Sequence, residues 1–242
     1  MPGIKYSPAF SLYRIFWTSI DWLFPPDCVK CKTKGAMLCE KCSKAISAVG
    51  SVGTRCGICG DLLFDEICGR CKRLGPAYDK VVSAGYYSDG LDEIIRAIKY
   101  SRNIGLGLSS VPLFEAALQG IEADLIIPVP LGKARLRERG HNQAAMLAFP
   151  LALALKVPYS SKALRRIRET RSQVNLNVNE RMNNVKNAFL ARSNMIKGKK
   201  VLLVDDVITT GATINDCARA LKEGGAQTVT VCTLARVKGS EV

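Results

Sequence analysis

The sequence predicts an α/β protein with a parallel sheet, preceded by a small cysteine-rich module that binds metal. Apolar runs typical of buried strands alternate with amphipathic helical stretches over the last two thirds of the chain, which is typical of a parallel sheet. Eight of the ten cysteines form Cys-x-x-Cys pairs near the N-terminus. The 242 residues allow one sizeable core with a small appendage. We therefore divide the chain into a short helix (1–24), a metal module (25–75) and an α/β domain (76–242).

The composition limits the class of protein and its partners. A chain that is 48% hydrophobic and 23% charged is typical of a folded globular protein rather than a disordered or membrane-embedded one. The formal net charge of +14 indicates an acidic partner, such as nucleic acid, a phosphorylated metabolite or an anionic membrane.

The first 24 residues predict a short helix, because Leu12, Phe16 and Ile20 recur every four residues. The apolar stretch is too short to span a bilayer and Arg14 and Asp21 interrupt it, so we expect neither a signal peptide nor a membrane anchor. Packing against the α/β domain is the favoured role, and a peripheral membrane helix is the alternative. We expect a cytoplasmic location, in which Cys-x-x-Cys arrays bind metal more often than they form disulfides.

The cysteine array predicts two structural zinc sites. Two Cys-x-x-Cys turns complete a tetrahedron of thiolates and leave no position open for water. Short spacings within each half favour sequential pairing over a cross-braced arrangement, while an iron–sulfur cluster or redox disulfides remain alternatives. We expect Cys217 and Cys232 to be buried small hydrophobes instead. The eight predicted ligands are Cys28, Cys31, Cys39, Cys42, Cys56, Cys59, Cys68 and Cys71.

Hydrophobic periodicity predicts the helices and strands of the α/β domain. A polar, arginine-rich stretch at 165–187 interrupts the alternation and predicts a long loop or hood over a site. The elements are expected in this order: a strand at 81–87, a helix at 91–98, a helix at 106–118, a strand ending at Pro128, a helix at 142–155, a strand at 201–204, a helix at 212–223 and a strand at 228–235.

The segment after the strand at 201–204 carries the most specific chemistry. Backbone N–H groups, the hydroxyls of three threonines and Gly211 precede a helix, which predicts an anion cradle. No lysine follows the glycine, so this is not a Walker A loop, and too few residues follow Asp206 for a receiver domain. Asp205 and Asp206 are adjacent and point to opposite sides of a strand, which suits ribose hydroxyls and a metal ion better than glycoside hydrolysis.

This segment resembles the phosphoribosyl pyrophosphate (PRPP) loop of type I phosphoribosyltransferases, with four apolar residues, two acids and Thr-Thr-Gly-x-Thr. The resemblance implies a parallel sheet flanked by helices with a hood, Mg²⁺ accompanying PRPP, and Asp205 and Asp206 on the ribose hydroxyls. It also implies that the 5′-phosphate is bound by Thr209, Thr210, Gly211, Ala212 and Thr213.

Further motifs narrow the resemblance to the ComF family of competence-associated proteins, whose N-terminal module is a double zinc ribbon. They are Pro128-Val-Pro-Leu131, Arg139-Gly-His-Asn-Gln143 and the later Thr170, Gln173, Arg181 and Asn184. The resemblance implies a pyrophosphate loop at 128–139, in which Arg135 and Arg139 clamp phosphate oxygens. His141 replaces the usual aromatic residue, and we favour a packed ring there over a general acid or base.

Two functions follow from the resemblance. The first is Mg²⁺-dependent transfer of a phosphoribosyl group from PRPP to an unidentified acceptor, linked to DNA uptake or DNA utilisation. The second is a non-enzymatic PRPP or nucleotide sensor, or a scaffold for single-stranded DNA and DNA-uptake proteins. Basic residues at 133–139 and 156–171 suit PRPP, a nucleic-acid backbone or a solvated face. The acceptor and the oligomeric state stay open.

Overall fold

The architecture is a parallel four-stranded sheet with helices on both faces, as the sequence predicts. The structure is a computed structural model that describes residues 6–46, 55–61, 66–100, 105–168 and 187–237. The sheet has the strand order β1-β6-β5-β2 with every neighbouring pair parallel. Its strands are β1 (Lys80–Tyr86), β2 (Leu125–Pro128), β5 (Lys200–Ile208) and β6 (Thr228–Arg236), while β3 (Leu164–Arg166) and β4 (Phe189–Ala191) form a separate antiparallel pair.

Short helices connect the strands and cover the sheet. Among the described residues, no helix has both the length and the apolar character needed to cross a membrane. The helices are α1 (Pro8–Leu23), α2 (Glu40–Ala45), α3 (Gly69–Leu74), α4 (Asp92–Tyr100), α5 (Gly105–Ser109), α6 (Val111–Ala117), α7 (Lys133–Arg139), α8 (Gln143–Leu155), α9 (Ser193–Ile196) and α10 (Ala212–Glu223), with a π-helical turn at Tyr87–Leu91 before α4.

Several element bounds differ from the sequence prediction. The strand expected at 201–204 continues to Ile208, so Asp205 and Asp206 lie on β5 rather than in a loop. The helix expected at 106–118 is two helices that meet at Ser110, because Pro112 has no N–H for a continuous helical ladder. The expected pyrophosphate loop includes the helix α7. The expected hood at 165–187 starts within β3 and is followed by β4, and residues 169–186 lie outside the described residues.

The two faces of the sheet bury two apolar cores. One core packs α4, α6 and α8 on the sheet and also includes side chains of the N-terminal cysteine-rich module, such as Cys28 and Leu38. The other core packs α10 on the opposite face. Cys217 and Cys232 are fully buried in these cores, where burial raises the pKa of both thiols, so their prediction as small hydrophobes is confirmed.

Helix α8 continues through Pro150 as one element. Proline has no N–H, so the carbonyl of Met146 receives no helical hydrogen bond from position 150. Gly107 of α5 lies against that carbonyl, and a Cβ built on Gly107 would overlap the Met146 oxygen and lie 2.9 Å from the Met146 carbonyl carbon. The glycine therefore permits the close packing of α5 on the proline-containing turn.

Helix α1 docks on the α/β domain, but by a different face from the one that the spacing predicts. Phe10 is buried with Val111 and Ala154, and the ring of Tyr13 lies 5.7 Å from that of Phe149. Leu12 and Phe16, on the predicted face, are exposed. Apolar residues lie on both faces of this helix, so periodicity identifies the helix but not its buried side.

Candidate functional site

The N-terminal cysteines form two separate clusters. In each cluster the four sulfur atoms lie within 4.8 Å of one another. The distance from Cys31 Sγ to Cys39 Sγ is 3.6 Å and from Cys59 Sγ to Cys68 Sγ is 3.7 Å, close to the edge of about 3.8 Å that a tetrahedron with Zn–S bonds of about 2.3 Å requires. The pairing is therefore sequential. The clusters are Cys28, Cys31, Cys39 and Cys42, and Cys56, Cys59, Cys68 and Cys71.

Backbone amides stabilise the thiolates that a zinc ion needs. The amide of Cys39 donates to Cys28 Sγ at 3.5 Å, and the amide of Cys68 donates to Cys56 Sγ at 3.5 Å. Hydrogen bonds from the hydroxyl and amide of Thr33 lower the pKa of Cys31 to about 6. Four convergent sulfur ligands with these donors fit structural zinc, which would hold each ribbon closed.

A cavity of about 420 Å³ opens at the carboxyl ends of β2 and β5, where parallel α/β folds bind their ligands. It is lined by all nine residues that the sequence analysis proposes for the PRPP site. These are Arg135, Arg139, Asp205, Asp206, Thr209, Thr210, Gly211, Ala212 and Thr213. The fold thus brings together segments that are far apart in the chain.

The two acids lie on β5 at one side of this cavity. Asp206 is buried, and its Oδ2 lies 3.0 Å from Lys99 Nζ of α4. Asp205 is partly buried, and its Oδ1 accepts a hydrogen bond from the amide of Asp206 at 2.9 Å. Burial and the neighbouring charge of Asp206 raise the pKa of Asp205 well above its ordinary value. The pair therefore combines one acid that is paired with a cation and one that holds a proton more tightly.

The segment 209–213, which we call the phosphate cradle, joins β5 to α10. Gly211 is the residue before α10 and has a φ of 76°, a conformation that glycine adopts without strain. Gly211 provides no side-chain cap, and Thr210 Oγ1 accepts only a long hydrogen bond of 3.5 Å from the amide of Ala212. The first amides of α10 and its positive dipole end therefore suit an anion. The predicted anion cradle therefore has the expected backbone geometry.

Helix α7 supplies the two arginines on the side of the cavity opposite the acids. Arg135 and Arg139 are four residues apart, share one helix face and are both partly buried, whereas Arg137 is exposed. Asn142 fixes the following turn, since its Nδ2 donates to Val129 O at 3.0 Å and its Oδ1 accepts from Ala144 N at 3.0 Å. The end of β2, α7 and α8 are thereby held as one wall of the cavity.

Two buried hydrogen-bond donors in the cavity lining have no hydrogen-bond partner among the described residues. They are Nε of Arg139 and Nε2 of Gln143, whose side chain is only 3% exposed. A buried donor without a partner costs free energy, so these donors favour a ligand rich in acceptor oxygens.

Several residues that line the cavity were not assigned to this site from the sequence, and Lys99, Arg166 and Gln143 are polar examples. The sequence around Lys99 does not indicate a role in this site, because Lys99 reaches the acids from α4 only through the tertiary fold. Arg166 belongs to the basic stretch 156–171 that also suited nucleic acid, and Gln143 belongs to the Arg139–Gln143 motif without an assigned role. His141 lies beside the cavity, where its Nε2 donates to Ile98 O at 2.7 Å, which agrees with a packed ring.

Comparisons with known proteins agree with this architecture. Residues 141–242 match the family model of the phosphoribosyl transferase domain, and residues 19–72 match the double zinc ribbon domain. The fold and the two cysteine clusters therefore define a zinc-ribbon protein with a phosphoribosyltransferase-type domain.

Relatives match across both parts of the chain. Competence protein F of Haemophilus influenzae is 34% identical over 210 residues, which cover 82% of this chain and 90% of the relative. The DNA utilization protein YhgH of Escherichia coli K12 is 33% identical over 207 residues, with the same coverage. Competence protein ComFC of Bacillus subtilis is 27% identical over 232 residues, which cover 92% and 90%. The chain belongs to the ComF family of competence and DNA-utilisation proteins.

Proposed function

We propose that the cavity binds PRPP with Mg²⁺ and that the protein transfers its phosphoribosyl group to an acceptor. The observation that carries the proposal is the convergence of the acid pair, the phosphate cradle and two arginines on one cavity. Each group suits one part of PRPP. The acid pair suits the ribose hydroxyls, the phosphate cradle suits the 5′-phosphate, and the arginines suit the pyrophosphate.

The phosphate cradle suits the 5′-phosphate. Backbone amides at the start of α10 and the hydroxyls of Thr209, Thr210 and Thr213 can donate to phosphate oxygens. Gly211 has no Cβ, so a phosphate group can approach the backbone closely. In this assignment the cradle fixes one end of the substrate.

The acid pair suits the ribose and a hard cation. Asp205 and Asp206 offer carboxylate oxygens that accept hydrogen bonds from the ribose hydroxyls, and carboxylate oxygens are ligands that Mg²⁺ prefers. Bound Mg²⁺ would neutralise charge on the pyrophosphate oxygens as they leave. Lys99 pairs with Asp206 and so keeps the buried carboxylate compatible with its surroundings.

The arginines suit the leaving group. Arg135 and Arg139 present planar guanidinium groups that bind phosphate oxygens in pairs, and the donors of Gln143 add to them. As the bond from the ribose C1 to the pyrophosphate oxygen breaks, negative charge grows on the pyrophosphate, and these fixed donors stabilise it. The cradle and acids meanwhile hold the ribose in position for the acceptor.

The names of the relatives support a link to DNA. Because they are called competence and DNA utilization proteins, we propose that this chain also acts in the uptake or use of DNA. The net charge of +14 supports contact with a nucleic-acid backbone in addition to PRPP.

Calorimetric titration of the zinc-replete protein with PRPP and Mg²⁺ tests the proposal. We expect saturable binding by the wild type and loss of binding in the variant Asp205→Asn/Asp206→Asn. The matched control is Glu122→Gln, because Glu122 pairs with Lys200 at the opposite ends of the strands. This control should bind as the wild type does. Absence of binding by folded wild type would reject the PRPP site.

Release of pyrophosphate distinguishes transfer from sensing. The wild type is incubated with PRPP and Mg²⁺ alone and with nucleobases, amines or single-stranded DNA as acceptors. Pyrophosphate release that depends on an acceptor supports transfer. Saturable binding with no release under any of these conditions would reject the enzyme in favour of a PRPP sensor.

A further inference from the structure

The second zinc ribbon, residues 55–61 and 66–74, contacts the phosphate cradle after β5, the carboxyl end of β6 and the start of β1. Its helix α3 begins directly after Cys68, contains Cys71 and is followed by the start of the α/β domain. From α3, the guanidinium of Arg70 donates to the carbonyl oxygen of Thr210 in the phosphate cradle. The zinc module and the cradle are therefore in direct contact, although the sequence analysis assigns them to separate domains.

Hydrogen bonds between the second zinc ribbon and the main sheet form a junction that holds Arg70 in place. Arg236, at the end of β6, donates from Nη1 to Cys59 O at 2.6 Å and pairs through Nη2 with Asp61 Oδ1 at 2.9 Å. The amide of Val81 donates to Ile58 O at 2.7 Å. The ribbon is thus bonded to the edge and to the middle of the main sheet.

The junction also requires a glycine. Gly60 has a φ of 73°, and a Cβ built on it would lie 3.0 Å from Arg236 Nη1 and 3.1 Å from Val81 O. A side chain at this position would press on both groups and would strain the backbone at this φ. Since Arg236 pairs in register with Ile208 of β5, the ribbon is fixed relative to the strand that leads into the cradle.

The second zinc ribbon contacts the phosphate cradle at a point where the cradle makes few hydrogen bonds of its own. The helix that follows has no side-chain cap at Gly211. A Cβ built on Gly211 would lie 3.8 Å from Tyr78 Oη and 3.9 Å from Arg70 Nη2. The guanidinium of Arg70 therefore lies beside the residue at which the cradle enters α10.

We propose that Arg70 is a positioning residue for the phosphate cradle, so that the second zinc ribbon forms part of the phosphate-binding site. By holding the Thr210 carbonyl, Arg70 orients the following amides toward the ligand, and its positive charge adds to the attraction for a phosphate dianion. This inference rests on the proposed function for the identity of the ligand. The contact itself is tested without any ligand.

Hydrogen exchange measured by mass spectrometry on zinc-replete protein tests the contact. The variants are Arg70→Ala, Arg70→Lys and the matched control Arg73→Ala, an exposed arginine on the same helix. We expect faster exchange of the amides at 209–213 in Arg70→Ala, with peptides from 201–204 unchanged. Arg73→Ala should exchange as the wild type does. Wild-type exchange at 209–213 in Arg70→Ala would overturn the proposal.

Titration with PRPP and Mg²⁺ tests the consequence for binding. We expect Arg70→Ala to raise the dissociation constant about tenfold, which is the loss of one hydrogen bond to a charged group. Arg70→Lys should restore part of the affinity, and Arg73→Ala should not change it. An unchanged dissociation constant in Arg70→Ala would overturn the positioning role. Failure of the wild type to bind would reject the proposed function instead, while the exchange comparison would still decide whether Arg70 holds the cradle.

Discussion

Lys99 Nζ lies 3.0 Å from Asp206 Oδ2, and this ion pair connects the last turn of α4 to the acid pair on β5. The residues on either side of Lys99 contact the opposite wall of the cavity. The carbonyl of Ile98 accepts a hydrogen bond from His141, and the ring centroid of Tyr100 lies 5.6 Å from the guanidinium carbon of Arg139. One helical turn therefore links the proposed ribose site to the proposed pyrophosphate site.

The ion pair should contribute measurably to stability. Lys99→Met leaves the buried carboxylate of Asp206 without its cation, so we expect a loss of about 2 kcal/mol in the free energy of unfolding. Asp206→Asn removes the need for the cation. In a double-mutant cycle measured by urea unfolding, Lys99→Met should therefore cost much less when combined with Asp206→Asn. Additive effects of the two substitutions would contradict a stabilising pair.

Binding of PRPP and Mg²⁺ should depend on the ionisation of Asp205. Burial and the charge of Asp206 raise the pKa of Asp205, while Lys99 on the facing helix lowers it. Ligand and metal require the carboxylate, so binding releases a proton and strengthens as pH rises through the raised pKa. Titrations at a series of pH values in wild type and Asp205→Asn isolate this effect, because the phosphate groups of PRPP titrate equally in both. The same pH dependence in both proteins would rule out Asp205 as its source.

The raised pKa of Asp205 also determines how the free energy of unfolding changes with pH. The folded state holds the proton of Asp205 to higher pH than the unfolded chain does. Its contribution to stability is therefore fully present below the unfolded pKa, about 3.9, and is lost as pH rises through the folded pKa. Asp205→Asn should lose less stability than the wild type over this pH range. Parallel curves of unfolding free energy against pH would contradict this expectation.

Substitutions of Arg165 and Arg166 should distinguish the binding of PRPP from the binding of single-stranded DNA. They are consecutive residues of β3, and consecutive side chains of a strand point to opposite faces. Arg166 lines the cavity and Arg165 is exposed. We expect Arg166→Gln to weaken PRPP binding about tenfold, with Arg165→Gln unchanged.

Single-stranded DNA binding, measured against salt concentration, should respond to the exposed arginine. A phosphate contact of Arg165 contributes to the salt dependence, so Arg165→Gln should reduce the salt slope by about one. A salt slope equal to that of the wild type would show that Arg165 makes no contact with the nucleic-acid backbone.

The two zinc sites should be lost independently. The clusters share no ligand, so Cys31→Ser and Cys68→Ser should each leave one zinc per chain in native mass spectrometry. Cys28 and Cys42 of the first cluster belong to the core that packs α4, α6 and α8 on the sheet, so loss of the first zinc should lower the melting temperature more. Cys217→Ala, which removes a buried thiol outside both clusters, should retain both ions. Loss of both ions from either cluster variant would contradict separate sites.

The local features of the site were predictable from the sequence, whereas its long-range contacts were not. The parallel sheet followed from the apolar runs, and the acid pair with its threonine cradle followed from one continuous segment. The extension of β5 to Ile208 was missed because acids at positions 205 and 206 do not resemble a buried strand. Asp206 is buried there because Lys99 compensates its charge. Lys99 and Arg70 reach the site from distant elements, and no spacing rule connects them to it.

The packing of α5 on α8 gives a test of the fold that does not involve the site. Gly107 lies against the Met146 carbonyl, which Pro150 leaves without its usual helical donor. A Cβ at position 107 would overlap this carbonyl, so Gly107→Ala should separate the two helices and reduce the free energy of unfolding by about 2 kcal/mol. Ser109→Ala is the matched control, because position 109 lies on the same helix and the change removes only a hydrogen bond from the hydroxyl to Gly105 O within that helix, which should cost about 1 kcal/mol or less. If Gly107→Ala instead raises stability through its better helix propensity, α5 and α8 do not pack as closely as the structure describes.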